Sequence, residues 1–240
     1  MTPTTAGRPL ARRWVTACVV AETIGMTASA AAARGATGLD GAGVAHAAGL
    51  GFLLVVAGGL VEGSALGALQ AGALGSRLGP RGRRAWFTVT LVLAGLGWAA
   101  GSAPATLSGD DSAGSSPPLA AILAGAAGIG LVTGALLGAA QAWVLARRAA
   151  RPAARPGRWV LGSALGWTAA MTVIFAGATT AGAGWPWPAV VALGGVTGAL
   201  AGLSLGVVTA PFLVRMYGTR QDQGPDPESP RAMGTASGAA

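Results

Sequence analysis

The sequence predicts an all-α membrane protein, a polytopic bundle of six transmembrane helices laid out as three tandem hairpin repeats. Three observations carry this expectation. Hydrophobic residues make up 52% of the 240 positions and charged residues only 10%, with a mean hydropathy of +0.57, whereas soluble domains carry about 25% charged residues. Apolar stretches of the length that crosses a bilayer, about 20 residues at about 1.5 Å each, recur six times. The arginines fall into alternate connections between those stretches.

The six spans run over residues 14–33, 44–74, 86–103, 119–145, 159–179 and 188–214. The second, fourth and sixth exceed what a perpendicular crossing needs, so they tilt or project beyond the lipid. Arg8, Arg12 and Arg13 precede the first span, and Arg77, Arg81, Arg83 and Arg84 separate the second from the third. Arg147, Arg148, Arg151, Arg155 and Arg158 separate the fourth from the fifth, and Arg215, Arg220 and Arg231 follow the sixth. Basic residues beside a span stay cytoplasmic, and only Arg34 stands on the other side, with Asp40, Asp110 and Asp111. The expected location is therefore the inner, plasma membrane, with both termini in the cytoplasm. Trp14, Trp86, Trp143 and Trp159 are expected in the inner interfacial belt, and Trp98, Trp185 and Trp187 in the outer one.

In domain terms this gives a cytoplasmic segment at 1–13, a membrane domain at 14–217 with hairpins at about 14–76, 83–148 and 158–217, and a tail at 218–240 too polar to bury a core. The 104–118 connection reads as a flexible outer loop. Arg12-Arg13, an apolar run and Ala28-Ser29-Ala30 imitate a signal peptide with its cleavage site. Glu22 inside the run, and the repeat described next, favour a retained span.

The even spans echo one another. Val61-Glu62-Gly63 with Gly67 and Gln70 matches Val132-Thr133-Gly134 with Gly138 and Gln141, and Val196-Thr197-Gly198 with Gly202. The odd spans echo as well, Arg13-Trp14-Val15 matching Arg158-Trp159-Val160. Glycines four apart stack on one face and admit a neighbouring helix at close range, and a Gln two turns along that face meets the same partner. Gly63, Gly67, Gln70, Gly134, Gly138, Gln141, Gly198 and Gly202 are accordingly expected to pack helices together.

Function classes narrow by chemistry. A net charge of +8 does not by itself mark a nucleic-acid binder, because the arginines are not gathered on a face with base-reading side chains. One cysteine, Cys18, and one histidine, His46, exclude an internal disulfide and leave no cluster to ligate a metal. Gly202-Leu203-Ser204-Leu205-Gly206 fits the G-x-S-x-G string, but it lies inside a span rather than at a strand-to-helix turn. No enzyme, metal or cofactor is expected. Pro211 is expected to bend or loosen the inner end of the sixth span.

Intramembrane carboxylates cost roughly 2.5–3.5 kcal/mol on insertion scales, so Glu22 and Glu62 are the leading functional candidates. Glu62 takes the place held by Thr133 and Thr197 in the other repeats, and convergence of the even helices would join the three in one polar layer with Glu22 nearby. The bland reading is a carboxyl satisfied by a carbonyl or hydroxyl of a neighbouring helix. Two functions follow: a small transporter-like or permeation-related protein using that layer, or a non-enzymatic accessory or scaffold subunit. The expected partners are the lipid bilayer itself and either a membrane-protein partner or further copies of the chain. In the second reading the same faces bind those proteins, or lipid.

The Gly134, Gly138, Gln141 pattern, the arginine turn with Arg147 and Arg148, and then Trp159-Val160 and Gly166-Trp167 resemble Gly/Ala-rich multi-pass bacterial membrane proteins of actinobacterial type. That resemblance implies a membrane bundle and names no activity. In outline the chain is also similar to mitochondrial carriers, whose Pro-x-acidic-x-x-basic signature it lacks, and to the substrate-binding subunits of energy-coupling vitamin transporters.

Overall fold

A computed structural model describes residues 7–107, 117–182 and 184–218. Six helices account for the fold: α1 (Gly7–Gly41), α2 (Ala47–Leu74), α3 (Gly79–Leu107), α4 (Leu119–Arg147), α5 (Gly157–Ala178) and α6 (Trp187–Gly218). No strand occurs among the described residues, and all six helices are long and apolar enough to cross a membrane. In lipid an unpaired peptide group has no water to turn to, so even these Gly-rich segments stay helical.

α1 is longer than the sequence suggests. Its 35 residues extend about 52 Å at 1.5 Å each, through Arg34 at one end and back to Gly7 at the other. Residues 7–13 are thus not a separate segment: Leu10 is buried, and Gly7 lies against Val214 of α6. α3 likewise runs on to Leu107, so the expected outer loop begins later, and its residues 108–116, with Asp110 and Asp111, lie outside the described residues. The tail expected at 218–240 also lies outside them, apart from Gly218, which ends α6. α6 continues through Pro211 without interruption.

Each helix packs on its neighbours in the chain, and α6 closes onto α1, so the six form a ring. The heaviest contacts are α1 with α6, α1 with α2, and α4 with α5; α3 and α4 touch least. Gly97 and Gly101 on α3 and Gly125 and Gly128 on α4 have no described neighbour within 4 Å of where a Cβ would stand, so these positions are open rather than packed. Even helices make no contact with each other. The expected convergence of α2, α4 and α6 is therefore overturned, because each glycine face is turned to an odd helix instead.

The arginine-rich end is tied together. The turn after α4 donates Ala150 N–H to the Leu78 carbonyl at 3.0 Å, Arg151 N–H to the Arg77 carbonyl at 2.9 Å and Ala154 N–H to the Met216 carbonyl at 3.3 Å. The short 3-10 turn at Gly75–Arg77 is entered and left through Gly75 (φ 55) and Gly79 (φ 65), a left-handed backbone that glycine adopts without steric cost.

Candidate functional site

The interior is built from one contact made three times. Gly63 and Gly67 of α2 meet α3, where an added methyl would stand 2.6 Å from the Ala94 Cβ and 3.2 Å from the Phe87 Cα. Gly134 and Gly138 of α4 meet α5 at 3.0 Å from the Ala164 Cα and 3.0 Å from the Val160 Cα. Gly202 and Gly206 of α6 meet α1 at 2.7 Å from the Val19 Cα and 2.9 Å from the Val15 Cα. Each even helix thus lays its glycine face on the next odd helix, and α6 does so on α1.

Three residues past the second glycine, a polar side chain accepts the indole N–H of that odd helix. Trp86 donates to Gln70 Oε1 at 3.3 Å, Trp159 to Gln141 Oε1 at 2.9 Å and Trp14 to Thr209 Oγ1 at 2.7 Å. The match therefore pairs Gly202, Gly206 and Thr209 with the first two repeats, one helical turn beyond the Gly198 and Gly202 register read from the sequence. In the register that packs, Ala201, not Thr197, is the counterpart of Glu62 and Thr133.

The three tryptophans meet on the bundle axis. Their ring centroids are 6.2 Å apart for Trp14 and Trp86, 5.3 Å for Trp14 and Trp159, and 5.9 Å for Trp86 and Trp159. The first two contacts are edge-to-face, an arrangement worth about 0.5–1.5 kcal/mol per pair beyond the buried area. All three are at most 2% exposed, so the expectation of an interfacial belt is wrong for them. The reason is the internal acceptor: each indole N–H that would have sought the headgroups is satisfied inside. Trp143 stays outside, with Arg148 over its ring at 5.1 Å, and Trp185 and Trp187 are exposed.

Above this aromatic plug the axis is polar. Gln70 Nε2 donates to Cys18 Sγ at 3.6 Å, and Gln141 Nε2 donates to Thr90 Oγ1 at 3.1 Å, which links α4 to α3. Trp14, Cys18 and Glu22 follow at intervals of four on one face of α1, so Glu22 lies about 12 Å along the axis from Trp14. Glu22 is fully buried, and neither of its carboxyl oxygens has a hydrogen-bond partner among the described residues. Ser29, also buried, has an equally unpartnered hydroxyl.

Glu62 reaches the same region from α2. A methyl added at Gly25, one turn beyond Glu22, would overlap the Glu62 Cβ and Cγ, so Glu62 lies directly against α1, within electrostatic reach of Glu22. Its Oε2 accepts the indole N–H of Trp98 at 3.0 Å. Trp98 is half-buried and lies across Gly59, so it covers Glu62 from the α3 side and is not an interfacial anchor.

Of the four expected ligand-site residues, the fold brings Glu22 and Glu62 together, while Thr133 bonds within its own helix and Thr197 lies against α5. Thr133 is partly exposed, and its hydroxyl donates to the Ile129 carbonyl of its own helix at 2.8 Å. Thr197 is buried against Gly177 of α5. Gly198 packs on Glu22 itself, next to the carbonyl of that residue. Ser204 donates to the Ala201 carbonyl at 2.8 Å within α6, so the G-x-S-x-G string is a stretch of packed helix. His46 is exposed at the start of α2. No group of three His, Cys, Asp or Glu side chains able to hold a metal occurs among the described residues.

Sequence reasoning missed Thr209, Thr90, Trp98 and the inward turn of the three tryptophans. A signal was present: Trp14, Trp86 and Trp159 are spaced by 72 and 73 residues, and Gln70, Gln141 and Thr209 by 71 and 68. In comparisons with known proteins the chain matches no family, no curated protein and no solved structure. The six apolar helices nonetheless make it an integral, multi-pass membrane protein in contact with lipid.

Proposed function

We propose that this chain is a small transporter-like protein whose intramembrane site is the carboxyl pair Glu22 and Glu62, taking a proton or a small cation. The observation that carries the reading is Glu22: both oxygens are buried without a partner among the described residues, beside a second carboxyl held by one indole N–H. An unsatisfied carboxyl in a membrane interior is costly, and a carboxyl changes its charge by taking up a proton or a cation.

The surroundings support a one-sided approach. The three tryptophans and the turn after α4 close the arginine-rich end, whereas α3 and α4 touch least of the neighbouring helices and Trp98 lies over Glu62 from the α3 side. The positive-inside rule supports a cytoplasmic closed end and cytoplasmic termini, in keeping with the plasma-membrane location we propose. α1 contributes Trp14, Cys18 and Glu22 to the interior, which supports its retention in the mature protein. The threefold Gly-xxx-Gly-xx-Gln/Thr pattern supports placing the chain with the Gly/Ala-rich actinobacterial membrane proteins it resembles. Enzymatic chemistry forms no part of the proposal.

The test is flux. Purified protein is reconstituted into liposomes holding either a pH-sensitive or a sodium-sensitive dye, and proton or sodium entry is driven by a potassium diffusion potential. Wild type should carry current that Glu22→Gln and Glu62→Gln each abolish, with both variants eluting and melting as folded protein. Absence of proton and sodium flux in folded wild type overturns the reading. It leaves the accessory-subunit alternative, which predicts a stoichiometric protein partner on purification in mild detergent.

A further inference from the structure

A second feature lies at the opposite end of α1 from Arg34 and is independent of the carboxyl pair. Between α1 and α2, at the arginine-rich end, runs an open groove of about 1010 Å3. Arg8, Arg12 and Arg13 line its mouth, and Ala17, Val20 and Leu69 are among the residues of its apolar length. The guanidiniums stand on exposed positions of one helix face. The described residues include three acidic positions, Glu22, Asp40 and Glu62. None is at this end, since two lie in the interior and Asp40 is at the far end of α1.

The groove is charged where the headgroup layer begins and apolar where the hydrocarbon begins. From Arg13 to Val20 the face extends seven residues, about 10 Å, a depth that fits the upper part of an acyl chain. Gly72 keeps the α2 wall low, with no atom within 4 Å of where its Cβ would stand. Three guanidiniums, unpaired among the described residues, are complementary to a phosphodiester anion, and the apolar floor is complementary to a chain attached to it. A free inorganic anion would use the first feature and leave the second bare.

We infer that this groove is a binding site for one anionic phospholipid, its phosphate held by Arg8, Arg12 and Arg13 and an acyl chain laid along Val20, Leu69 and Gly72. The lipid would fill the seam between α1 and α2 at the end where the bundle is closed, and so stabilise the closed end.

The probe is palmitoyl-oleoyl phosphatidylglycerol added to delipidated full-length protein in neutral detergent, read by thermal melting and by native mass spectrometry. Expected is one tightly retained lipid and a raised melting temperature, with no effect from phosphatidylcholine or from glycerol phosphate. Arg12→Gln with Arg13→Gln should weaken retention by about tenfold or more, whereas Arg81→Gln with Arg83→Gln, exposed arginines outside the groove, should not. Gly72→Leu, whose Cβ would enter open space in the groove, should weaken retention by obstructing the chain. Equal loss from both arginine pairs would mean diffuse attraction to a charged surface and overturn the site. An unaffected Gly72→Leu, or glycerol phosphate acting as well as the lipid, would reduce it to a phosphate contact and overturn the lipid assignment.

Discussion

Trp14 donates its indole N–H to Thr209 at 2.7 Å across 195 residues of chain, and this buried bond joins the first helix to the last. Thr209 is itself anchored, its hydroxyl also lying 2.6 Å from the Leu205 carbonyl of α6. One hydroxyl therefore donates to its own helix and accepts from the neighbour.

Removing that hydroxyl leaves a buried indole N–H without an acceptor. Thr209→Val is expected to destabilise the bundle by about 1–3 kcal/mol, while Thr209→Ser retains the bond and most of the stability. Thermal melting in detergent, or denaturation followed by tryptophan fluorescence, distinguishes the two. Equal melting of wild type and Thr209→Val would show that the α1–α6 closure does not depend on this bond.

Glycine at the α6–α1 contact is required by backbone proximity. At Gly202 a methyl would stand 2.5 Å from the Cys18 carbonyl oxygen and 2.7 Å from the Val19 Cα, neither of which can swing aside. Gly202→Ala is expected to cost about 1–3 kcal/mol, as overpacking does. Gly128→Ala, which meets nothing within 4 Å, should be neutral or slightly stabilising, since Ala is the better helix former. The contrast between the two melting curves is the check.

Trp98 and Glu62 are joined by a hydrogen bond between α3 and α2. In a double-mutant cycle, Trp98→Phe and Glu62→Ala should couple by about 0.6 kcal/mol and by no more than about 1.7 kcal/mol, the mean and maximum for hydrogen bonds between membrane helices. Additive losses, with no coupling, would mean that the indole covers Glu62 by shape alone.

Sidedness can be read with cysteines. Cys18 is wholly buried and should stay unlabelled by maleimide until the protein is denatured. With Cys18 replaced by Ala, Ser76→Cys in the turn after α2 should react with an impermeant maleimide only in inside-out vesicles. Thr180→Cys, exposed after α5, should react only in right-side-out vesicles. The reverse pattern would invert the proposed orientation.

The sequence by itself determined which segments cross the membrane, where the arginines gather and which helices carry closely spaced glycines. These are properties of single segments against their solvent: hydropathy, charge and residue size each act without reference to a partner. Tertiary structure decided which helix each glycine face meets, the one-turn shift that puts Gly202, Gly206 and Thr209 in register with the first two repeats, and the inward turn of Trp14, Trp86 and Trp159. It also set Glu22 beside Glu62. In lipid the outward faces are as apolar as the inward ones, so hydrophobicity does not say which side of a helix turns in. That choice falls to close shape-matching between backbones and to buried donors finding acceptors, and both are relations between helices.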